Sequence, residues 1–571
     1  MITPSARPTS PIVRLLGVTL VAGALTHLIL TASASAKADA LVAGKPIGRD
    51  IRPGETHVFE VFVPPGHVVN GVVDQQGVDL IVRLVDPRGA TIATLDSPNG
   101  VLGPEPWSID GATPGLWRVE VSPFRDTRKP GRYEARVDEI ITLDQRDERL
   151  AHERYSSPRL RRLWKERRAD GAAAIDRFAQ EMTGHAPLVE PVAGDPRGDV
   201  LITFLRRVPP ETRYVGLLGG PTARGPEVAF SRFEETDLQY LTLRTPRDAR
   251  FTYMLRTGEP PRADATSKQM EARFMTAEID PWNPLRFGTS SSLVELPAAP
   301  AQTWTKADPS VAPGRLVMAT IHSAILGEDR KLGVYLPAAL DPAAGPYPYV
   351  VVFDGEGHWK APPGMFTTLT ILDNLIAQKK VPPMLAVLVD SQSTRARDLP
   401  MSAPFADFLA KELAPWVRRE HHGTEDPRKV TLDGMSFGGL CAVYTAFHHP
   451  DVFGNALSQS GSFWYSPGAL EVESPFRLET GALMREIVAA PPQPVRVWME
   501  VGLFEGSAPL AGGNQVAQNR HMRDVLLAKG YRVSYHEYAG GHDRVSWRGS
   551  VADGLIELAG EGAGEGKASP P

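Results

Sequence analysis

The chain has 571 residues, 42% of them hydrophobic and 23% charged, with a formal net charge of -5. This is ordinary globular composition, with enough chain for about three or four domains and several cores. The mildly acidic balance leaves no global basic field, which argues against a nucleic-acid partner. A lone cysteine, Cys441, excludes an intramolecular disulfide framework and a thiolate metal cluster.

At the N-terminus, Arg7 and Arg14 precede an apolar run from Leu15 to Leu30 and then the small-x-small triplet Ala34-Ser35-Ala36. This pattern predicts a signal peptide over 1–36, cleaved near Ala36. The alternative is an uncleaved anchor, for which the run is short. Cleavage implies a periplasmic or secreted protein with no stable membrane insertion.

Residues 40–140 read as short strands. Trp117, Val119 and Val121 alternate with Arg118 and Glu120, and Tyr133, Ala135 and Val137 alternate with Glu134 and Arg136. That is the period of a half-buried strand, and the Pro-Gly and Asn-Gly punctuation between such runs predicts an antiparallel β-sandwich. Residues 141–197, crowded with charges of both signs, are predicted as a solvated helical connector. Residues 198–300 return to strands at 200–205, 215–218, 238–243 and 251–255, which predicts a second sandwich. From 301 to 560 the pattern alternates strand and helix. The apolar runs 349–353, 384–389, 430–432, 456–457 and 495–501 are those of a parallel sheet covered on both faces. The Gly-, Glu- and Pro-rich residues 561–571 are predicted as a disordered tail. The fold class is therefore α/β: an α/β-hydrolase catalytic domain preceded by two all-β sandwich domains.

Gly434-Met435-Ser436-Phe437-Gly438 follows one of these strands and opens a helix-like stretch. Strand, tight turn and helix are the context of a nucleophile elbow, and the pentapeptide needs that context to carry weight. A serine hydroxyl needs a base to take its proton. His542, in the loop after the last strand, 531–538, stands where such a fold presents its histidine. His448, His449, His521 and His536 fall on helices or within a strand. The acid is expected after the strand 495–501, where Glu505 stands; Asp543, beside His542, is the rival, and a Ser–His dyad is the third option. The oxyanion hole is expected from the N–H groups of Phe437 and of Gly355, in the loop Asp354-Gly355-Glu356-Gly357.

Gly434 to Trp464 (GMSFGGLCAVYTAFHHPDVFGNALSQSGSFW), Val351-Val352-Phe353-Asp354-Gly355, Arg395 to Pro400 (RARDLP), Asn519 to Tyr531 (NRHMRDVLLAKGY) and Gly540 to Gly549 (GGHDRVSWRG) resemble the enterochelin (enterobactin) esterase family. Residues 198–300, with Asp280-Pro281-Trp282-Asn283-Pro284, resemble that family's N-terminal domain. The first sandwich resembles the pre-peptidase C-terminal type of module found on secreted enzymes; it and the signal peptide are absent from the family's cytoplasmic members. The resemblance implies hydrolysis of a small-molecule ester, a catecholate siderophore that can arrive ferric, with Ser436, Glu505 and His542 catalytic and no cofactor or resident metal. It implies that Arg395 meets the anionic substrate; Arg544 and Arg548 are further arginines expected near the cleft, and Arg548 and Trp547 are candidate substrate contacts. An esterase acting on feruloyl or acetyl sugars, an acyltransferase on the same scaffold and a non-catalytic binding module are the competing readings.

Overall fold

The computed structural model describes residues 38–560 apart from 126, 223–226, 263–268, 270, 271, 274, 339, 342–344, 468–480 and 508–513. The predicted signal peptide and tail lie outside the described residues. No helix among the described residues is long and apolar enough to cross a membrane. The described residues divide into two compact units, one up to Trp164 and one from Lys165 onward.

The first unit holds the predicted sandwich. One sheet has the order Asp39–Ala40, His57–Val63, Gly115–Pro123, Leu80–Val85, Thr91–Leu95; the other runs Ile47–Ile51, Gly131–Thr142, His67–Gln76, Leu102–Asp110. The alternation read from the sequence is what builds the core. Trp117, Val119, Val121, Tyr133, Ala135 and Val137 are buried in one cluster drawn from both sheets, while their neighbours face water. A capping box, Thr142 with Gln145, then starts the helix Leu143–Arg154.

The predicted connector is helical only as far as Met182, through Pro158–Asp170 and Ala172–Met182. Leu188–Pro191 is a strand and pairs antiparallel with Val200–Arg207, so the second sandwich starts about ten residues earlier than the sequence suggests. A short edge strand carrying a proline gives almost no periodic signal. The predicted strands appear as Val200–Arg207, Tyr214–Gly219, Leu238–Thr245 and Arg250–Gly258, shared between a four-stranded and a five-stranded sheet.

The C-terminal half is built on one eight-stranded sheet of order β1-β2-β4-β3-β5-β6-β7-β8. The strands are β1 (Arg315–Ser323), β2 (Glu328–Leu336), β3 (Tyr349–Val352), β4 (Leu385–Val389), β5 (Val430–Met435), β6 (Asn455–Gln459), β7 (Arg496–Gly502) and β8 (Arg532–Tyr538). From β4 to β8 the pairing is parallel, and the hairpin β1–β2 is antiparallel. Tyr349 and Val351 of β3 enter one core and Val350 and Val352 the other. Burial on both faces is why these strands read as unbroken apolar runs. Parallel strands in such a sheet present their carboxyl ends to one crevice, and the loops after β3, β5, β6, β7 and β8 carry the candidate residues.

Candidate active site

All six residues of β5 are buried or nearly so, and the strand ends at Ser436, the residue before the helix Phe437–His448. Ser436 sits at φ 60 and ψ -119, a left-handed conformation that costs a non-glycine residue energy and marks a functional turn. The surroundings hold it there: Ser436 N–H donates to Gln459 O at 2.8 Å, and Ser436 O accepts from Leu440 N at 3.1 Å and Ser462 N at 3.1 Å. Gly434 is required by close approach, since a Cβ there would lie 2.5 Å from the carbonyl carbon of Gly438. The strand end and the helix start thus touch backbone to backbone.

Glu505 sits in the turn Leu503–Ser507 directly after β7. Its Oε2 is 2.5 Å from His542 Nδ1, with side-chain exposures of 2% for Glu505 and 13% for His542. Its Oε1 accepts from Ser460 Oγ at 2.7 Å and from Gly502 N–H at 2.9 Å. Ser460 in turn accepts from the Trp547 indole N–H at 3.1 Å. With Nδ1 facing a carboxylate, the imidazole carries its proton there and leaves Nε2 as a base. Ser436 and His542 share one edge of the sheet, because Gln459, whose carbonyl holds the elbow, is followed by Ser460, which holds the acid. Among the described residues the hydrogen-bond partner of Ser436 Oγ is Ser462 Oγ at 3.4 Å, not His542. Such bonds commonly tighten only once substrate is bound.

Asp543 is engaged elsewhere. Its carboxylate accepts from Thr252 N–H at 2.9 Å, Thr252 Oγ1 at 3.3 Å and Val545 N–H at 3.0 Å, capping the helix Arg544–Ala559. Burial pushes its carboxyl up to about 7. Its role is to pin the histidine loop to the second sandwich, and three further contacts hold the histidine loop or the Glu505 turn from the segment 250–302. Arg250 N–H donates to Ala539 O at 2.9 Å, Phe251 packs edge-on against Phe504 at 5.7 Å, and Gln302 Nε2 donates to Val545 O at 2.6 Å. The sandwich thus braces the loops of both Glu505 and His542.

Three expectations need correcting. Gly355 N–H donates to Val389 O at 2.9 Å, so it is already spent inside the sheet and cannot meet an oxyanion. Trp547 is 4% exposed and stands perpendicular to the His542 ring at 4.7 Å; it supports the base and offers no surface to substrate. Arg548 donates to Gln302 Oε1 at 2.9 Å and Gly364 O at 2.9 Å, and lies 5.0 Å over Phe287, where it ties loops together. Phe437 begins the helix Phe437–His448, so its N–H lies at the electropositive helix end.

Arg395 does reach the site. Its guanidinium lies 5.9 Å over the ring of Phe437 and grips Asp354 with two bonds of 2.7 and 2.8 Å. Its charge is therefore matched by a carboxylate. Three of the other candidate histidines are engaged elsewhere: His448 pairs with Glu486, His449 with Asp407, and His536 lies against Trp498. Among the described residues no group of three or more His, Cys, Asp or Glu is placed to hold a metal ion. Ser460, Ser462 and Asp354 went unnoticed as site residues in the sequence. All three lie inside the runs that resemble the enterochelin esterase family, Val351–Gly355 and Gly434–Trp464.

Residues 323–558 match the family model described as putative esterase, and residues 201–305 the one described as enterochelin esterase, N-terminal. An iron(III) enterobactin esterase of Dickeya dadantii (strain 3937) is 30% identical over 386 residues, covering 63% of this chain and 85% of the relative. An iron(III) salmochelin esterase of Escherichia coli O6:H1 is 28% identical over 391 residues, 66% of this chain and 91% of the relative. Among solved structures, the enterobactin esterase of Shigella flexneri, crystallised in the presence of enterobactin, superposes with a TM-score of 0.50 at 25% identity, covering 66% of this chain and 96% of that one. The ferric enterobactin esterase of Salmonella typhimurium shares the fold, with a TM-score of 0.54 at 22% identity over 67% of this chain and 98% of that one. With both of its family domains matched and the first of these relatives covered over most of its length, this chain belongs to the enterochelin esterase family.

Proposed function

We propose that this protein is an exported serine esterase that hydrolyses the ester bonds of a catecholate siderophore through an acyl-enzyme. The observation that carries the mechanism is the buried Glu505 carboxylate 2.5 Å from His542 Nδ1, on the same sheet edge as the strained Ser436 elbow. The substrate class follows from the enterobactin and salmochelin esterases that this chain resembles over most of their length.

In this reading His542 Nε2 takes the Ser436 proton as Oγ attacks the ester carbonyl, and Glu505 stabilises the imidazolium that results. The developing oxyanion is met by Phe437 N–H. Gly355 N–H, spent on Val389 O, is not the second donor. The imidazolium then protonates the leaving alkoxide, and water repeats the sequence on the acyl-enzyme. The catecholate groups take no part in the bond changes, so any iron comes and goes with the substrate. Export rests on Arg7, Arg14, the apolar run 15–30 and Ala34-Ser35-Ala36, and is tested by whether the mature N-terminus begins near residue 37.

The test is chromatography of products after incubation with the cyclic trilactone, with and without iron, alongside feruloyl and acetyl sugars. Linear trimer, dimer and monomer from the trilactone, lost in Ser436→Ala, support the reading. Ferulate or acetate release with an intact trilactone would replace the siderophore with an acylated carbohydrate.

A further inference from the structure

Two guanidinium groups stand at the mouth of the site, and they are not equivalent. Arg395 lies over Phe437, next to Ser436, but its charge is matched by the bidentate bond to Asp354. Arg544, two residues after His542, is exposed. Its guanidinium lies 4.8 Å over the ring of Phe366, and it has no ion pair with the described carboxylates. Phe366 itself is pressed against the loop after β3, since a Cβ on Gly357 would meet its ring at 2.1 Å. Arg544 is therefore held on an aromatic shelf that borders the oxyanion loop. The charges of Asp354, Arg395 and Glu356 act on its guanidinium, so all four groups share one electrostatic neighbourhood.

A guanidinium stacked on an aromatic ring keeps its edge N–H groups free to donate in a planar fork. Matched to a carboxylate, Arg395 contributes little net field at a distance; Arg544 contributes a whole charge. We propose that Arg544, on its Phe366 shelf, is the subsite that binds an anionic group of the substrate and sets this enzyme's preference for negatively charged over neutral esters. The proposal rests on the esterase reading of Ser436 and His542, but not on the substrate being a siderophore. A ferric triscatecholate is one anion that would engage it; a carboxylate on the acyl chain is chemically another.

The probes are p-nitrophenyl glutarate, whose acyl chain ends in a carboxylate, and p-nitrophenyl valerate, its neutral counterpart. The readout is the ratio of their kcat/KM values. A charge contact across a partly screened cleft amounts to about tenfold. Arg544→Gln is expected to lower the ratio about tenfold, chiefly through KM of the glutarate. Arg544→Glu is expected to lower it further, and Arg544→Lys to keep most of it. Raising the salt concentration should lower the wild-type ratio and leave that of Arg544→Gln flat. A ratio unchanged in Arg544→Gln and Arg544→Glu overturns the proposal, including the case in which both esters slow equally because the histidine loop has been disturbed. If Arg544→Gln and Arg544→Glu turn over neither ester, Arg395→Gln decides: a charge preference kept in that variant supports Arg544 as the subsite, and one lost there makes Arg395 the subsite and the proposal fails. Failure of the esterase reading looks different, since wild-type protein would then hydrolyse neither ester.

Discussion

Replacing Glu505 by Gln removes one negative charge and nothing else of consequence in shape. In the wild type, Oε1 accepts from Ser460 Oγ and Gly502 N–H, while Oε2 faces His542 Nδ1. A glutamine has one oxygen for three donors. If its oxygen keeps the Ser460 and Gly502 bonds, its NH2 group points at Nδ1 and forces the imidazole to carry its proton on Nε2, where it can no longer accept one from Ser436. If the amide flips, NH2 clashes with the Gly502 N–H in a site where Glu505 is 2% exposed, and a buried donor goes unpaired. Both arrangements also forfeit stabilisation of the imidazolium. The expected loss is about 10³- to 10⁴-fold in kcat, or about 4–5.5 kcal/mol of transition-state stabilisation, with KM little changed. The assay is steady-state hydrolysis of p-nitrophenyl butyrate, with circular dichroism confirming the fold. A loss below tenfold in Glu505→Gln, or a comparable collapse in Asp543→Asn with Glu505 intact, would refute the assignment of the acid.

Three further outcomes are expected. Gly434→Ala drives a Cβ to 2.5 Å from Gly438, so it should destabilise by about 1–3 kcal/mol and lower kcat by displacing Ser436; denaturant melts and ester turnover read both, and an unchanged midpoint contradicts the tight elbow. Phe504→Ala empties a 3%-exposed site that meets Phe251 beside the acid turn; about 3–5 kcal/mol of stability and part of kcat should go together, whereas full activity would show that the sandwich does not brace the acid. Burial pushes Asp433 up to about 7, and its Oδ1 has no hydrogen-bond partner among the described residues. Between about pH 4 and 7 the folded state then holds a proton that the unfolded state has released, so stability falls as pH rises through that window. In Asp433→Asn the drop in melting temperature from pH 5 to pH 8 should shrink, and an identical profile rules that group out.

Much of the fold was legible because burial leaves a period in the sequence. Trp117, Val119 and Val121 alternate because one face of their strand is wet; Tyr349 to Val352 do not alternate because both faces are dry. The hairpin β1–β2 escaped notice because it lies at the sheet edge: half of β1 is exposed, and β2 opens on Glu328, Asp329 and Arg330. The elbow, the histidine loop and the acid were legible because chain order and strand context constrain them together. What could not be read was how individual groups spend their hydrogen bonds. Gly355 looks like an oxyanion donor until β4 takes its N–H, and Trp547 and Arg548 look like substrate contacts until Ser460 and Gln302 claim them. Ser460 joins the acid to Trp547 only because β6 and β7 end side by side, a juxtaposition that no local motif encodes.

Covalent trapping tests the account at its centre. Incubation with a fluorophosphonate, digestion and mass spectrometry should find one modified peptide, with the adduct on Ser436, and label should disappear with Ser436→Ala and grow more slowly in His542→Ala. Continued ester hydrolysis with Ser436 unmodified, or an adduct on another residue that tracks the loss of activity, would contradict the assignment of the nucleophile and with it the mechanism.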